Sequence, residues 1–209
     1  RLMELIFLAE FWRAVFFSLV RILWGFFMAV LVGMLLAVAS SAYHFLEVML
    51  WPFLSVIKAS PVASFIILCL IWLNSSDLPV FIAFLMVLPV IYTNMLQGIK
   101  STDKKLLEMA EVFSVKKLKR IKYIHMPQLR PYIQSACSIS LGLCWKAGIA
   151  AEVIAIPDGS IGEALYQAKI YLNSRDLFAW TVVIIIISIV FEKFFTWGIK
   201  ALYSLLERG

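Results

Sequence analysis

Charge is scarce in this chain of 209 residues: Asp, Glu, Lys and Arg make up 15% of it, against 63% hydrophobic residues. Soluble domains carry roughly half apolar and about a quarter charged residues, so the composition excludes a soluble globular fold and indicates an integral membrane protein. Cysteine is sparse as well. Cys69, Cys137 and Cys144 each fall inside an apolar run, with no CxxC or Cys/His spacing, which excludes a disulfide framework or thiolate metal site and leaves them as small packing residues. GxxxxGKS/T is absent, so no phosphate-cradling loop is present and ATP hydrolysis is not expected of this chain. HExxH, GxSxG and paired intramembrane acids are missing too, which counts against an intramembrane protease or another membrane enzyme. The chain opens at Arg1 without the pattern of a signal peptide.

The charges that do occur are concentrated in one place. Between Ser101 and Pro131 runs the only long polar segment, flanked on both sides by apolar runs of near-membrane length. Lys100, Lys104, Lys105, Lys116, Lys117, Lys119, Arg120, Lys122 and Arg130 outweigh Asp103, Glu108 and Glu111 there. A basic excess beside spanning segments places this loop in the cytoplasm. The formal net charge of +6 is thereby explained by orientation and anionic headgroups rather than by nucleic acid, which is excluded as a partner.

Within the loop, Leu106, Leu107, Ala110 and Phe113 recur at helical spacing, as do Val115, Leu118 and Ile121 after a break at Ser114. Two short amphipathic helices are expected. Thr102 and Asp103 are candidate N-caps for the first, Ser114 for the second, and Pro127 is expected to stop the second.

Glu108-Met109-Ala110, then three residues, Ser114, nine residues, Ile124, one residue, and Met126-Pro127 resembles the EAA loop (E-A-A, x3, G, x9, I-x-L-P) of ABC importer permeases. Every spacing matches, while Met109, Ser114 and Met126 depart in identity. The likeness spans roughly residues 18–201 and is closest to the nitrate, sulfonate, taurine and bicarbonate group, which SLVRILWGFFMAVLVG, VIKASPVASF and WKAGIAAEVIAIPDGSIG also resemble. It implies an all-α, type I importer transmembrane domain in a bacterial inner membrane, with one further span before residue 1. It also implies that the loop, through Leu106, Leu107, Glu108, Ala110, Phe113, Ser114, Ile124 and Pro127, docks into a separate ATPase subunit that uses ATP and Mg. An extracytoplasmic binding protein would deliver a small anion, sulfonate or vitamin precursor.

Read in order, residues 1–15 mix charge with large apolar groups and suit an interfacial helix. Five spans follow: Phe16–Ser41, Pro52–Leu73 broken near Ser60-Pro61, Pro79–Gly98, Pro131–Ile156 and Leu177–Trp197. All belong to a single domain, 1–209, with 101–130 as its cytoplasmic loop. In the first span Gly25, Ala29, Gly33, Ala37 and Ser41 repeat every fourth position, a seam for close helix packing. The fourth carries two such rows, one through Ala136, Ser140, Cys144, Gly148 and Glu152, the other through Ser138, Gly142, Lys146 and Ala150. Lys146 and Glu152 read as its deepest charges, each costing at least about 2.5 kcal/mol unless it meets a partner or a wet cavity. With Lys58 and Pro61 at the broken span, they are the candidates for the translocation pathway or an interface. His44 reads as a solvated end group, and residues 161–171 as an external surface helix.

Five spans are few to enclose a route, so two facing copies, most simply a homodimer, are expected. Two other readings stay open. An ion-coupled secondary transporter would use buried carboxylates and internal repeats; a scaffold would use the basic loop only to bind anionic lipid.

Overall fold

The computed structural model describes the backbone of residues 2–208, with the side chains of Leu2, Lys104, Lys117, Leu118 and 199–208 outside the description. The side chain of Leu118, expected on the second amphipathic helix, therefore lies outside the described residues. Every regular element among the described residues is helical: α1 (Leu2–Ile6), α2 (Ala9–Ala42), α3 (His44–Ala59), α4 (Val62–Cys69), α5 (Leu78–Lys100), α6 (Lys104–Val112), α7 (Lys117–Arg120), α8 (Met126–Ala155), α9 (Ile161–Ile170) and α10 (Ser174–Arg208). Four are long and apolar enough to cross a membrane, and the bent pair α3 and α4 makes a fifth candidate.

That pair turns by 104° at Ser60-Pro61, where the sequence placed the break. Pro61 lacks the N–H that would continue the ladder and pushes the residue before it into extended geometry; Ser60 has φ −73° and ψ 132°. The interfacial segment is shorter than 1–15. It ends at Ile6, the chain turns through Phe7-Leu8, and Ala9 already begins α2.

At the centre lies α5, with α2 packed along one side and α8 along another. The small-residue seam explains how α2 approaches so closely. Gly25, Ala29, Gly33 and Ala37 are all buried, and a Cβ on Gly25 would stand 2.3 Å from the Val80 carbonyl oxygen and 3.0 Å from the Ala83 Cβ. The row leaves the interface one residue early: Ser41 is exposed, and buried Ser40 accepts a 3.0 Å hydrogen bond from the Tyr92 hydroxyl instead. Gly25→Ala is expected to push α2 off α5 and cost about 1–3 kcal/mol, the usual price of overpacking. Thermal unfolding of the purified protein checks this, with Gly142→Ala as control because nothing lies within 4 Å of a Cβ there.

On α8 the row Ala136, Ser140, Cys144, Gly148 and Glu152 is buried throughout, whereas in the second row Lys146 is exposed and Ser138, Gly142 and Ala150 are half-buried. Only one of the two rows is thus fully enclosed by the protomer. Farther out, α10 turns Val182, Ile185, Ile186, Ile189 and Val190 outward, the surface that hydrocarbon solvates without cost.

Candidate functional site

At the end of the bundle where α5 stops and α8 starts, the chain builds a compact knob. The Asp103 carboxylate accepts a 2.9 Å hydrogen bond from the Lys105 N–H and so caps α6. Thr102, the other cap candidate, is buried, with its hydroxyl 3.5 Å from His125 Nδ1. The Asp103 N–H donates to the Gln128 side-chain oxygen at 3.0 Å, tying the start of α6 to the base of α8.

The far end of α6 closes differently from expectation. Ser114 does not cap a second helix; it adopts φ +50° and terminates the first. Its N–H donates to the Glu111 carbonyl and that of Val115 to the Ala110 carbonyl, both at 2.9 Å, the paired bonds of a Schellman motif. The matched motif has glycine at this position, and the left-handed backbone supplies the reason, since a side chain there costs about 1–2 kcal/mol. Ser114→Gly is expected to recover about 1 kcal/mol of local stability, read as slower hydrogen exchange at the Val115 amide.

Nor does Pro127 end a helix. From Lys117 the chain runs through α7, a π-helical turn (Ile121–His125) and straight into α8. The physical reason is register: Pro127 has no N–H for its fourth neighbour back, and the wider turn just before it, with the Met126 N–H bonded to the Ile121 carbonyl, shifts the ladder past the missing donor. One free-standing short helix, α6, is therefore present where two were expected.

The face that α6 offers also differs from the sequence pattern. Ala110 is 1% exposed and Leu107 is half-buried, so both turn inward, whereas Val112 is 81% and Phe113 75% exposed. Leu106 and Met109 are exposed beside them, so the outward stripe is Leu106, Met109, Val112 and Phe113. Met109 and Val112 were missed as candidates; their signal is the i, i+3, i+6 spacing from Leu106. Glu108 is exposed, Ile124 half-buried in the π turn and Pro127 exposed beyond it.

The pathway candidates separate into two groups. Lys58, Pro61 and Lys146 are all exposed, on α3, at the bend and on α8. Lys58 lines a crevice of about 290 Å³ between α3 and α5 with Glu47, Trp51, Ser55, Thr93, Gln97 and Lys100 among its walls. At the end of that crevice nearest the α5 C-terminus Lys100 Nζ lies 2.5 and 2.6 Å from the two Glu47 carboxylate oxygens, and exposed His44 sits 3.1 Å from the same group.

Glu152 belongs elsewhere. Its carboxylate is fully buried one turn from the end of α8, where Oε2 accepts from the Ser18 hydroxyl at 2.7 Å and the Gly162 N–H at 3.2 Å. Ser18 in turn accepts from the Ile161 N–H at 3.0 Å. One acid thus joins α2, α8 and the first turn of α9, whose positive end suits a carboxylate. Arg21 is in electrostatic reach of it and stacks its guanidinium 3.7 Å over the Phe17 ring. Glu152 lies near the outer end of α8 rather than at mid-depth, inside the bundle rather than on an open face. Lys146 and Glu152, grouped in the sequence by apparent depth, are not brought together.

A family model described as binding-protein-dependent transport system inner membrane component matches residues 8–207. Among individual proteins, a probable ABC transporter permease protein of Brucella abortus is 26% identical over 196 residues, covering 93% of this chain and 78% of its own length. A putative aliphatic sulfonates transport permease protein of Bacillus subtilis is 24% identical over 193 residues, 91% of this chain and 69% of its own. The taurine transport system permease protein of Escherichia coli is 25% identical over 195 residues, 93% and 69% respectively.

Proposed function

This chain belongs to the family of binding-protein-dependent transport system inner membrane components, and from that membership we propose that α6 is the element through which an ATPase subunit drives it. As a family member it is a multi-pass inner-membrane permease component of an ATP-binding-cassette importer, and ATP is hydrolysed on another subunit. The cargo is a small anion of the kind named for its relatives, aliphatic sulfonates or taurine, delivered by an external binding protein.

The observation that carries the α6 assignment is the pair Val112 and Phe113, almost fully exposed at the tip of a capped helix on the cytoplasmic side. Two large apolar side chains held in water by a rigid turn mark a surface made for a partner. Glu108, on the same helix, supplies a charge for a cation on the ATPase.

The route itself forms against a second copy. Lys58 and Lys146 are exposed on the surface of the protomer, and a lysine turned to lipid costs about 2.5–3.5 kcal/mol near mid-depth. A water-filled seam between two protomers removes that cost and offers two cations from each side to an anionic cargo. The bend at Ser60-Pro61 fits the same surface, because a broken span is tolerated where protein or water satisfies its backbone.

The test is uptake by proteoliposomes holding the permease, its ATPase and its binding protein. ATP-dependent, vanadate-sensitive entry of an aliphatic sulfonate is expected, and Glu108→Gln should lower both uptake and ATPase stimulation. Uptake that ignored ATP and followed an ion gradient would overturn the reading in favour of a secondary carrier.

A further inference from the structure

We propose that the crevice between α3 and α5 is a binding site for a small monovalent anion, held by Lys58 and entered past the Glu47–Lys100 ion pair. Most polar groups in the crevice are already occupied. The Ser55 hydroxyl donates to the Trp51 carbonyl at 2.8 Å, the Thr93 hydroxyl to the Pro89 carbonyl at 2.7 Å, and the Tyr92 hydroxyl to Ser40 at 3.0 Å. Both Glu47 oxygens are taken by Lys100, with His44 sharing one of them. What stays uncommitted among the described residues is the Lys58 ammonium, the Gln97 amide and the Trp51 indole N–H, each with at least one N–H to donate.

Charge agrees with that inventory. The crevice holds two lysines and one glutamate, so it is net positive, and its only acid is already neutralised at the rim. A cation would find no free carboxylate; an anion finds three unused donors. Size agrees too, since about 290 Å³ is ample for an ion of a few heavy atoms and at the lower limit for drug-sized ligands.

Depth separates a free ion from a lipid headgroup. Lys58 follows Glu47 by eleven residues on one helix, about 16 Å along its axis at 1.5 Å per residue. The headgroup zone is only about 5–8 Å thick on each side of the hydrocarbon core. With α3 standing along the membrane normal, a phosphate anchored in a lipid at Glu47 and Lys100 stops short of Lys58, and added phosphatidylglycerol tests that alternative below.

In the import cycle such a site is the last station before an anionic cargo enters the cytoplasm, and this assignment of its role rests on the proposed function above. Occupancy itself does not. The test uses the assembled transporter, permease with ATPase subunits, in phosphatidylcholine nanodiscs without ATP, and iodide as the probe. Trp51 emission, taken as the difference from Trp51→Phe, reports on the crevice. Saturable quenching is expected, with its half-saturating concentration raised about tenfold or more in Lys58→Gln, the loss of one charge-assisted contact, and retained in Lys58→Arg. Lys169→Gln, at an exposed lysine on α9, should leave it unchanged. Linear, collisional quenching that is the same in the chain and in Lys58→Gln overturns the proposal, and so does loss of saturation when phosphatidylglycerol is added, which would give the site to a lipid. Because no step uses ATP, failure of α6 as the drive element would leave this result intact, and the reverse holds as well.

Discussion

Val112→Asp combined with Phe113→Asp is expected to strip the ATPase subunit from the purified transporter while leaving the permease folded. The two side chains contribute almost nothing to the fold of the protomer, being 81% and 75% exposed. Buried in a partner groove, a valine and a phenylalanine contribute about 1.5–3 kcal/mol each, and a carboxylate in their place adds the cost of desolvating a charge. Loss of about 3 kcal/mol or more weakens the complex by a factor of a hundred or more. Co-purification and ATPase stimulation by the permease should both fall, with an unchanged unfolding temperature of the isolated permease. Conservative Phe113→Leu should retain most of both. Normal co-purification and ATPase stimulation in the double variant would overturn the assignment of this tip as the ATPase contact.

Glu152→Ala is expected to damage stability rather than substrate handling. Truncation leaves the Ser18 hydroxyl and the Gly162 N–H without their shared acceptor in a site with no access to water. Removing one partner of such a buried set costs about 3–5 kcal/mol, which corresponds to a fall in unfolding temperature on the order of 10 °C for a chain of this size. Glu152→Gln keeps a carbonyl oxygen in place and should lose much less. Gly162→Ala attacks the same junction from the other side: its Cβ would lie 2.3 Å from the Glu152 Cβ and 2.4 Å from the Glu152 carbonyl carbon. Backbone cannot yield there, so α9 must separate from α8. If Glu152→Gln abolished transport at an unchanged unfolding temperature, the carboxylate would return to the translocation pathway where its sequence position first suggested it.

The spans were legible because apolar length and proline placement act locally: hydrophobic runs, the break at Ser60-Pro61 and the small-residue seam of α2 all need only the residues themselves. Asp103 was legible as a cap for the same reason. Ser114 was not, since its role depends on a left-handed backbone that no side-chain pattern reports; only the glycine of the matched motif hinted at it. Pro127 misled because the rule that proline ends a helix assumes the ladder keeps its register, and the π turn at Ile121–His125 changes it. Glu152 was misplaced because hydropathy measures distance along a segment, whereas its environment is set by Ser18, 134 residues away in sequence. Lys146, grouped with it as a deep charge, is exposed on α8 instead, because spacing along a helix does not report which face its neighbours cover.

The unbroken run from Ile121 to Ala155, 35 residues and about 52 Å at 1.5 Å per residue, behaves as a single stiff lever. Its lower end is moored to the start of α6 through Asp103 and Gln128, and its upper end is bolted to α2 and α9 at Glu152. Under the proposed drive through α6, a tug of a few ångströms below reappears above as a tilt, which couples the two ends of the bundle. The loosened turn near its foot is the one place where slack can enter the stroke.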